Sequence, residues 1–153
     1  MNTVLRARPP AVAGSFYPDD PDELRALVDR LLERAGPGRG PLPKALIVPH
    51  AGYLYSGPVA ATAFARLREE GRRLERIVLL GPAHHARLNG LALPEADAYG
   101  TPLGVLAVER AARKSLCELP AVIESDVAHE ADDFPRRQVL GIAAGHDGID
   151  RDA

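Results

Sequence analysis

The sequence predicts an α/β fold, a three-layer sandwich with a mostly parallel sheet, and three observations predict it. Two short apolar runs, Ala45-Leu46-Ile47-Val48 and Ile77-Val78-Leu79-Leu80, have the near-continuous hydrophobicity of strands buried on both faces. A stretch with helical spacing of apolar residues separates them. Each run ends in a turn that carries histidine: Pro49-His50-Ala51-Gly52 after the first, Gly81-Pro82-Ala83-His84-His85 after the second. Together these read as β-α-β, whose crossover is right-handed. Strands alternating with helices along the rest of the chain extend the pattern to a layered α/β domain.

The elements follow in order. Residues 9–20 are irregular, with Ala13-Gly14-Ser15-Phe16-Tyr17-Pro18 at their centre. A helix begins at Asp20, a good N-cap, with Pro21 at the first helical position and Glu23 completing a pattern like a capping box. Leu24, Leu27, Val28, Leu31 and Leu32 make one buried stripe, and Gly36-Pro37-Gly38 stops the helix. Residues 44–49 are expected to be a buried parallel strand. Gly52 and Gly57 bracket a loop with Tyr53, Tyr55 and Ser56. A helix over residues 58–68 would bury Val59, Ala60, Ala63, Phe64 and Leu67, and Gly71 would end it. Residues 76–80 are the second strand and Leu91-Ala92-Leu93 a third. Residues 99–104 read as a turn-rich loop, 111–119 as a helix and 121–123 as a strand.

Composition narrows the function. The chain has 153 residues, enough for one domain with a core, and its 46% hydrophobic content is that of a globular protein. A formal net charge of -2, with arginines interleaved among Asp and Glu, gives no basic face for nucleic acid. One cysteine, Cys117, allows no intrachain disulfide, which points to the cytosol. No secretory signal is visible at the start, and no apolar run reaches the roughly 20 residues of a membrane helix.

In open α/β sheets the ligand crevice lies beyond the C-terminal ends of the strands. His50 and His84 both stand there. Adjacent strands lie about 4.8 Å apart, so two such imidazoles can reach one metal ion. A pair of loop histidines, each hydrogen-bonded to a neighbour, satisfies the spacing equally well. Two imidazoles with open positions suit Fe(II), Cu or Zn, and a stable site calls for a third protein ligand. Candidates are His129, Asp97, Cys117, Glu130 and His146, with His129 the best placed. Tyr53, Tyr55, Ser56, His85 and His129 are candidate pocket-lining residues, set against ordinary loop packing. His85 neighbours His84 and points away from it. Cys117, within Leu116-Cys117-Glu118-Leu119, reads as a small buried apolar residue. No phosphate-binding glycine motif occurs.

Four motifs in order resemble the Memo-like family, whose bacterial and archaeal members are called AmmeMemoRadiSam system protein B. They are Ala13-Gly14-Ser15-Phe16-Tyr17-Pro18; Pro49-His50-Ala51-Gly52-Tyr53 with Tyr55-Ser56-Gly57; Gly81-Pro82-Ala83-His84-His85; and Thr101-Pro102-Leu103-Gly104. The resemblance spans roughly residues 9–130. It implies a fold related to the class III extradiol dioxygenases, with iron or copper held by His50, His84 and a ligand far toward the C-terminus. It implies a functional link to radical-SAM and AMMECR-type proteins. It names no reaction and no substrate beyond an unknown small molecule.

The resemblance ends abruptly. After Ala128-His129-Glu130-Ala131-Asp132 the family continues His-Ser-Leu-Glu, whereas this chain reads Asp133-Phe134-Pro135-Arg136. Phe-Pro-Arg can be encoded TTC-CCT-CGA, and read one base later, ahead of an AGG codon, the same bases encode Ser-Leu-Glu. The expectation is therefore that residues 1–132 are the N-terminal part of one Memo-like domain. Residues 133–153 would be a divergent tail, out of frame and without fixed structure, and the distal metal ligand would be missing. Three functional expectations follow. The first is a metal-binding protein with weakly held Fe(II) or Cu and oxygenase-like chemistry. The second is a protein- or peptide-binding module with a structural or vestigial metal. The third is a non-functional fragment.

Overall fold

The computed structural model describes residues 5–68, 74, 76–82, 88–126 and 129, and the backbone of 138–144. The chain divides into two compact units, Val12–Leu74 and Met1–Ala11 with Glu75–Ala153.

The unit Val12–Leu74 is built on two helices, α1 (Pro21–Ala35) and α2 (Tyr53–Phe64), the latter followed by a 3-10 turn, Ala65–Leu67. α1 starts where its sequence signals place it. The Asp20 carboxylate accepts hydrogen bonds from the Asp22 and Glu23 amides, both at 2.9 Å, which satisfies two of the unpaired donors of the first turn. Leu24 is buried, Leu27, Val28, Leu31 and Leu32 are half-buried, and Gly36 ends the helix at φ 71°.

α2 departs from expectation. It begins at Tyr53, five residues before Pro58, which sits inside the helix on its exposed side. Its buried residues are Ser56, Gly57 and Ala61, while Val59 and Phe64, expected inside, are 60% and 46% exposed. Glycine explains the choice of face. A Cβ at Gly57 would stand 2.9 Å from the Leu31 Cδ1 of α1, so the two helices meet where α2 has least bulk. The larger side chains are turned outward.

Residues 44–49 also depart from expectation. They form no strand, and Ile47 is fully exposed. A strand needs a neighbour to bond its backbone and cover its face. Among the described residues this unit holds only an isolated bridge between Ala13 and Tyr17.

The second unit contains two sheets. One has the order β1-β4-β5, from Ala7–Arg8, Ala98–Thr101 and Gly104–Ala107. The other has the order β2-β7-β3-β6, from Arg76–Pro82, Gln138–Ala144, Leu91–Leu93 and Val122–Glu124. The α/β class holds, but the sheets are mixed rather than mostly parallel. β1/β4, β3/β6 and β3/β7 run parallel, whereas β2/β7 and β4/β5 run antiparallel. Residues 99–104, expected as loop, lie in the β4–β5 hairpin. Its tip is held by Thr101, whose hydroxyl donates to the Gly104 carbonyl at 3.0 Å and accepts from the Leu103 amide at 3.2 Å. Of the stretch beyond residue 132, the described part is β7.

The core of this unit gathers around β3. Ala92, Leu93 and Ala98 are fully buried, and Leu93 packs with Val122, Leu91 and Leu116 of helix α3 (Arg110–Cys117). Gly90 permits the approach of β6. It sits at φ 125°, and a Cβ there would lie 2.2 Å from the Ala121 carbonyl oxygen, which accepts the Leu91 amide at 2.7 Å. Around the rim, Arg6 pairs with Asp126 at 3.3 Å, and the Arg113 Nε donates to Glu124 at 2.6 Å.

The two kinds of device should differ in cost. Asp20→Ala is expected to lose about 1 kcal/mol, the usual value of an N-cap. Gly90→Ala must both strain the backbone and displace the Ala121 carbonyl, and should cost roughly 2 kcal/mol or more. Urea unfolding of both variants checks this. A Gly90→Ala protein as stable as the parent would rule out the close β3–β6 approach.

Candidate functional site

The motif around His50 acquires its shape from the motif around Phe16. The Tyr53 amide, first in α2, donates to the Phe16 carbonyl at 2.8 Å. Gly52 lies against the same residue, where a Cβ would stand 3.4 Å from the Phe16 carbonyl oxygen. The Tyr17 and Tyr53 rings pack with centroids 5.5 Å apart and planes inclined at 49°. Ser56, one turn into the helix, is buried, and its hydroxyl donates back to the Ala51 carbonyl at 2.5 Å. The loop is thus held on both sides of Gly52. His50 stands exposed two residues before this anchored point. Exposure leaves the imidazole accessible, and an imidazole is an apt donor for iron or copper.

The other candidates are distributed unevenly. Tyr53 is half-buried in the ring pair, Tyr55 is 78% exposed, and the Ser56 hydroxyl is committed to the backbone. His129 is buried, and its amide donates to the Asp126 carbonyl at 2.7 Å. Asp97 accepts from the Arg6 amide at 3.2 Å and faces the Arg110 guanidinium at 3.8 Å, so its charge is already engaged. Cys117, expected to be buried, is exposed. Its thiol pKa is raised, chiefly by desolvation and then by the neighbouring Glu124 carboxylate, which disfavours the thiolate a metal would need. His84, His85, Glu130 and His146 lie outside the described residues.

Among the described residues, no three His, Cys, Asp or Glu side chains come together as a metal site. His50 therefore suits a metal ligand in type and access, but the described residues do not complete a coordination shell around it. An open depression of about 420 Å³ lies between Glu33, Gly36, Pro37, Gly38, Ala65 and Arg68, and no motif residue lines it. No helix among the described residues is long and apolar enough to cross a membrane. The sequence reading missed the Phe16 clip. The available signal was a glycine before Tyr53 in one motif and an aromatic pair, Phe16-Tyr17, in the other.

The geometry defines a mixed α/β protein in which the loop before α2 presents a histidine at the head of a helix. Comparison with known proteins identifies the class further. The Memo-like protein family matches residues 8–133, and the chain belongs to that family. It is 39% identical over 125 residues to a MEMO1 family protein of Aquifex aeolicus, covering 82% of this chain and 45% of the relative. It is 37% identical over 136 residues to a MEMO1 family protein of Ignicoccus hospitalis, covering 83% and 47%. A protein memo-1 homolog of Caenorhabditis elegans is 40% identical over 104 residues, covering 68% and 29%. The chain spans about half the length, or less, of these curated relatives.

The raised thiol pKa of Cys117 has a direct consequence. At pH 8 its thiolate fraction is below that of an unperturbed cysteine, so alkylation by iodoacetamide should be slower than for a free cysteine. Glu124→Gln removes the repulsive carboxylate and should speed the reaction. A rate unchanged or slowed by that substitution would mean that Glu124 does not act on the thiol.

Proposed function

We propose that this chain supplies part of the metal centre of a Memo-like protein, with His50 and His84 as two of its ligands. The observation that carries the reading is the His50 loop. Its imidazole is exposed, while the backbone just behind it is pinned by Phe16 and Ser56. A ligand needs that combination of access and fixed origin. Family membership supports the choice of His84, in Gly81-Pro82-Ala83-His84-His85, as the second imidazole. Fe(II) or Cu is the metal of this reading, and its bound form would supply Lewis-acid or redox chemistry toward a small oxygen-bearing substrate. The residues of this chain would hold and orient the metal, and a further ligand from the rest of a Memo-like protein would complete the shell. A three-layer arrangement like that of the class III extradiol dioxygenases, a cytosolic setting and a link to radical-SAM and AMMECR-type proteins belong to the same reading.

A second reading rests on α2. Leu54 and Tyr55 are 83% and 78% exposed on the helix that follows His50. Large apolar side chains on an accessible helix suit a protein- or peptide-binding module, in which the metal is structural or vestigial.

Anaerobic calorimetry with Fe(II), Cu(I) and Zn(II) separates the two. With only part of the shell in the chain, binding should be weaker than about 1 µM, and His50→Ala with His84→Ala should abolish it. Binding retained by the double variant would remove the two histidines from the site. Tighter binding by a monomer would show that this chain holds a complete shell. Partner binding that needs no metal and survives the double variant would favour the module.

A further inference from the structure

We propose that Asn89 is a site of self-modification, where the side-chain amide is lost and the chain is rebuilt through isoaspartate, loosening the contact between β3 and β6. The inference goes beyond the metal reading and does not depend on it. Every group it uses lies within one unit, between Asn89 and Val122.

The chemistry starts in the sequence. Asparagine is among the thermally labile residues, and its lability depends on the residue that follows. The backbone nitrogen of that residue is the nucleophile, and a side chain beside it hinders the attack. Asn89 is followed by Gly90, which has no side chain. The other asparagine, Asn2, is followed by Thr3, whose β-branch crowds the same path. Asn89 is exposed, and among the described residues the Gly90 amide makes no hydrogen bond that would first have to break.

The reaction needs only water. The Gly90 nitrogen gives its proton to a base in the solvent and bonds to the side-chain carbonyl carbon of Asn89. The bond from that carbon to Nδ2 breaks, and the leaving nitrogen takes up a proton and departs as ammonia. Water then opens the cyclic succinimide at either carbonyl. Opening at the main-chain carbonyl leaves Gly90 attached through the side-chain carbon, as isoaspartate. Opening at the other carbonyl gives aspartate. In both cases OH replaces NH2 and no electrons are exchanged with a second reagent.

The fold requires the same glycine that makes Asn89 labile. Gly90 sits at φ 125°, and a Cβ there would lie 2.2 Å from the Ala121 carbonyl oxygen. That oxygen accepts the Leu91 amide at 2.7 Å, the bond that opens the pairing of Leu91 with Val122. Isoaspartate lengthens the main chain by a methylene immediately before this point. Either Gly90 is pushed toward Ala121, where there is no room, or Leu91 leaves its acceptor. β3 carries the fully buried Ala92 and Leu93, so the disturbance reaches the core of the unit.

The test ages the full chain in warm, mildly alkaline buffer. Tryptic mapping with electron-transfer fragmentation should find the peptide that begins at Leu88 changed by the mass of OH for NH2, with isoaspartate the main product and Asn2 unaltered over the same time. Asn89→Gln should remove the change. Aged protein should unfold at lower urea than fresh protein and exchange its Leu91 amide faster. Freshly prepared Asn89→Asp carries the new charge without the longer backbone, and should match the fresh parent in both. An unaltered Asn89, reaction at Asn2 as fast as at Asn89, or aspartate as the main product would overturn the assignment of the site. Isoaspartate that leaves urea unfolding and Leu91 exchange unchanged, or a loss reproduced by Asn89→Asp, would overturn the loosening.

Discussion

The hydrogen bond from the Tyr53 amide to the Phe16 carbonyl decides where α2 begins, and much of the unit Val12–Leu74 follows from it. Gly52 has no side chain with which to cap a helix, and without an external acceptor the first amide would face only solvent. Phe16 provides that acceptor from a separate motif. Once α2 starts at Tyr53, Ser56 falls one turn in, where its hydroxyl meets the Ala51 carbonyl, and Gly57 falls where α1 approaches. The orientation of the helix is then determined. Small residues face α1, and Leu54, Tyr55 and Val59 face outward. His50 stands exposed two residues ahead of the same clip.

What the sequence made legible was local. α1 was readable from end to end because its cap, its apolar stripe and its glycine stop all act within a few residues of one another. β3, α3 and β6 were readable for similar reasons. The start of α2 was not, because Pro58 carries a strong local signal for a first helical position while the bond that sets the true start comes from Phe16. The β4–β5 hairpin was read as loop because Thr101-Pro102-Leu103-Gly104 is rich in turn residues. Its flanking strands are only four residues each, and their pairing is not visible in composition. Sheet direction was illegible for the same reason. The antiparallel neighbour of β2 comes from Gln138–Ala144, and nothing in the apolar run 77–80 specifies which strand it meets.

The candidate site divides along the same line. The residue types and the motif loops were legible, and the structure supplies the physical anchor of the His50 loop. The meeting of ligands was not legible, because it depends on elements distant in sequence. Asp97 illustrates the difference. By residue type it was a fair candidate ligand, yet the Arg6 amide and the Arg110 guanidinium already occupy its carboxylate. A carboxylate so engaged would have to give up both partners before binding a metal.

The two apolar runs show why pattern and structure can disagree without either being in error. Residues 45–48 and 77–80 both read as strands buried on two faces. Among the described residues the first has no neighbouring strand in its unit, forms none itself and leaves Ile47 in solvent. The second has β7 beside it, keeps its strand and leaves its faces open. Apolar continuity therefore specifies the environment a segment requires, and pairing determines whether a strand forms there. Burying such faces stabilises by roughly 25 cal/mol per Å², so each uncovered run marks stabilisation still to be gained. The motif loop behaves differently because its bonds are polar and close within one unit, as the Phe16–Tyr53 and Ser56–Ala51 contacts do. The bonds that set its shape all lie within Val12–Leu74, so the position of the His50 backbone follows from contacts of that unit alone.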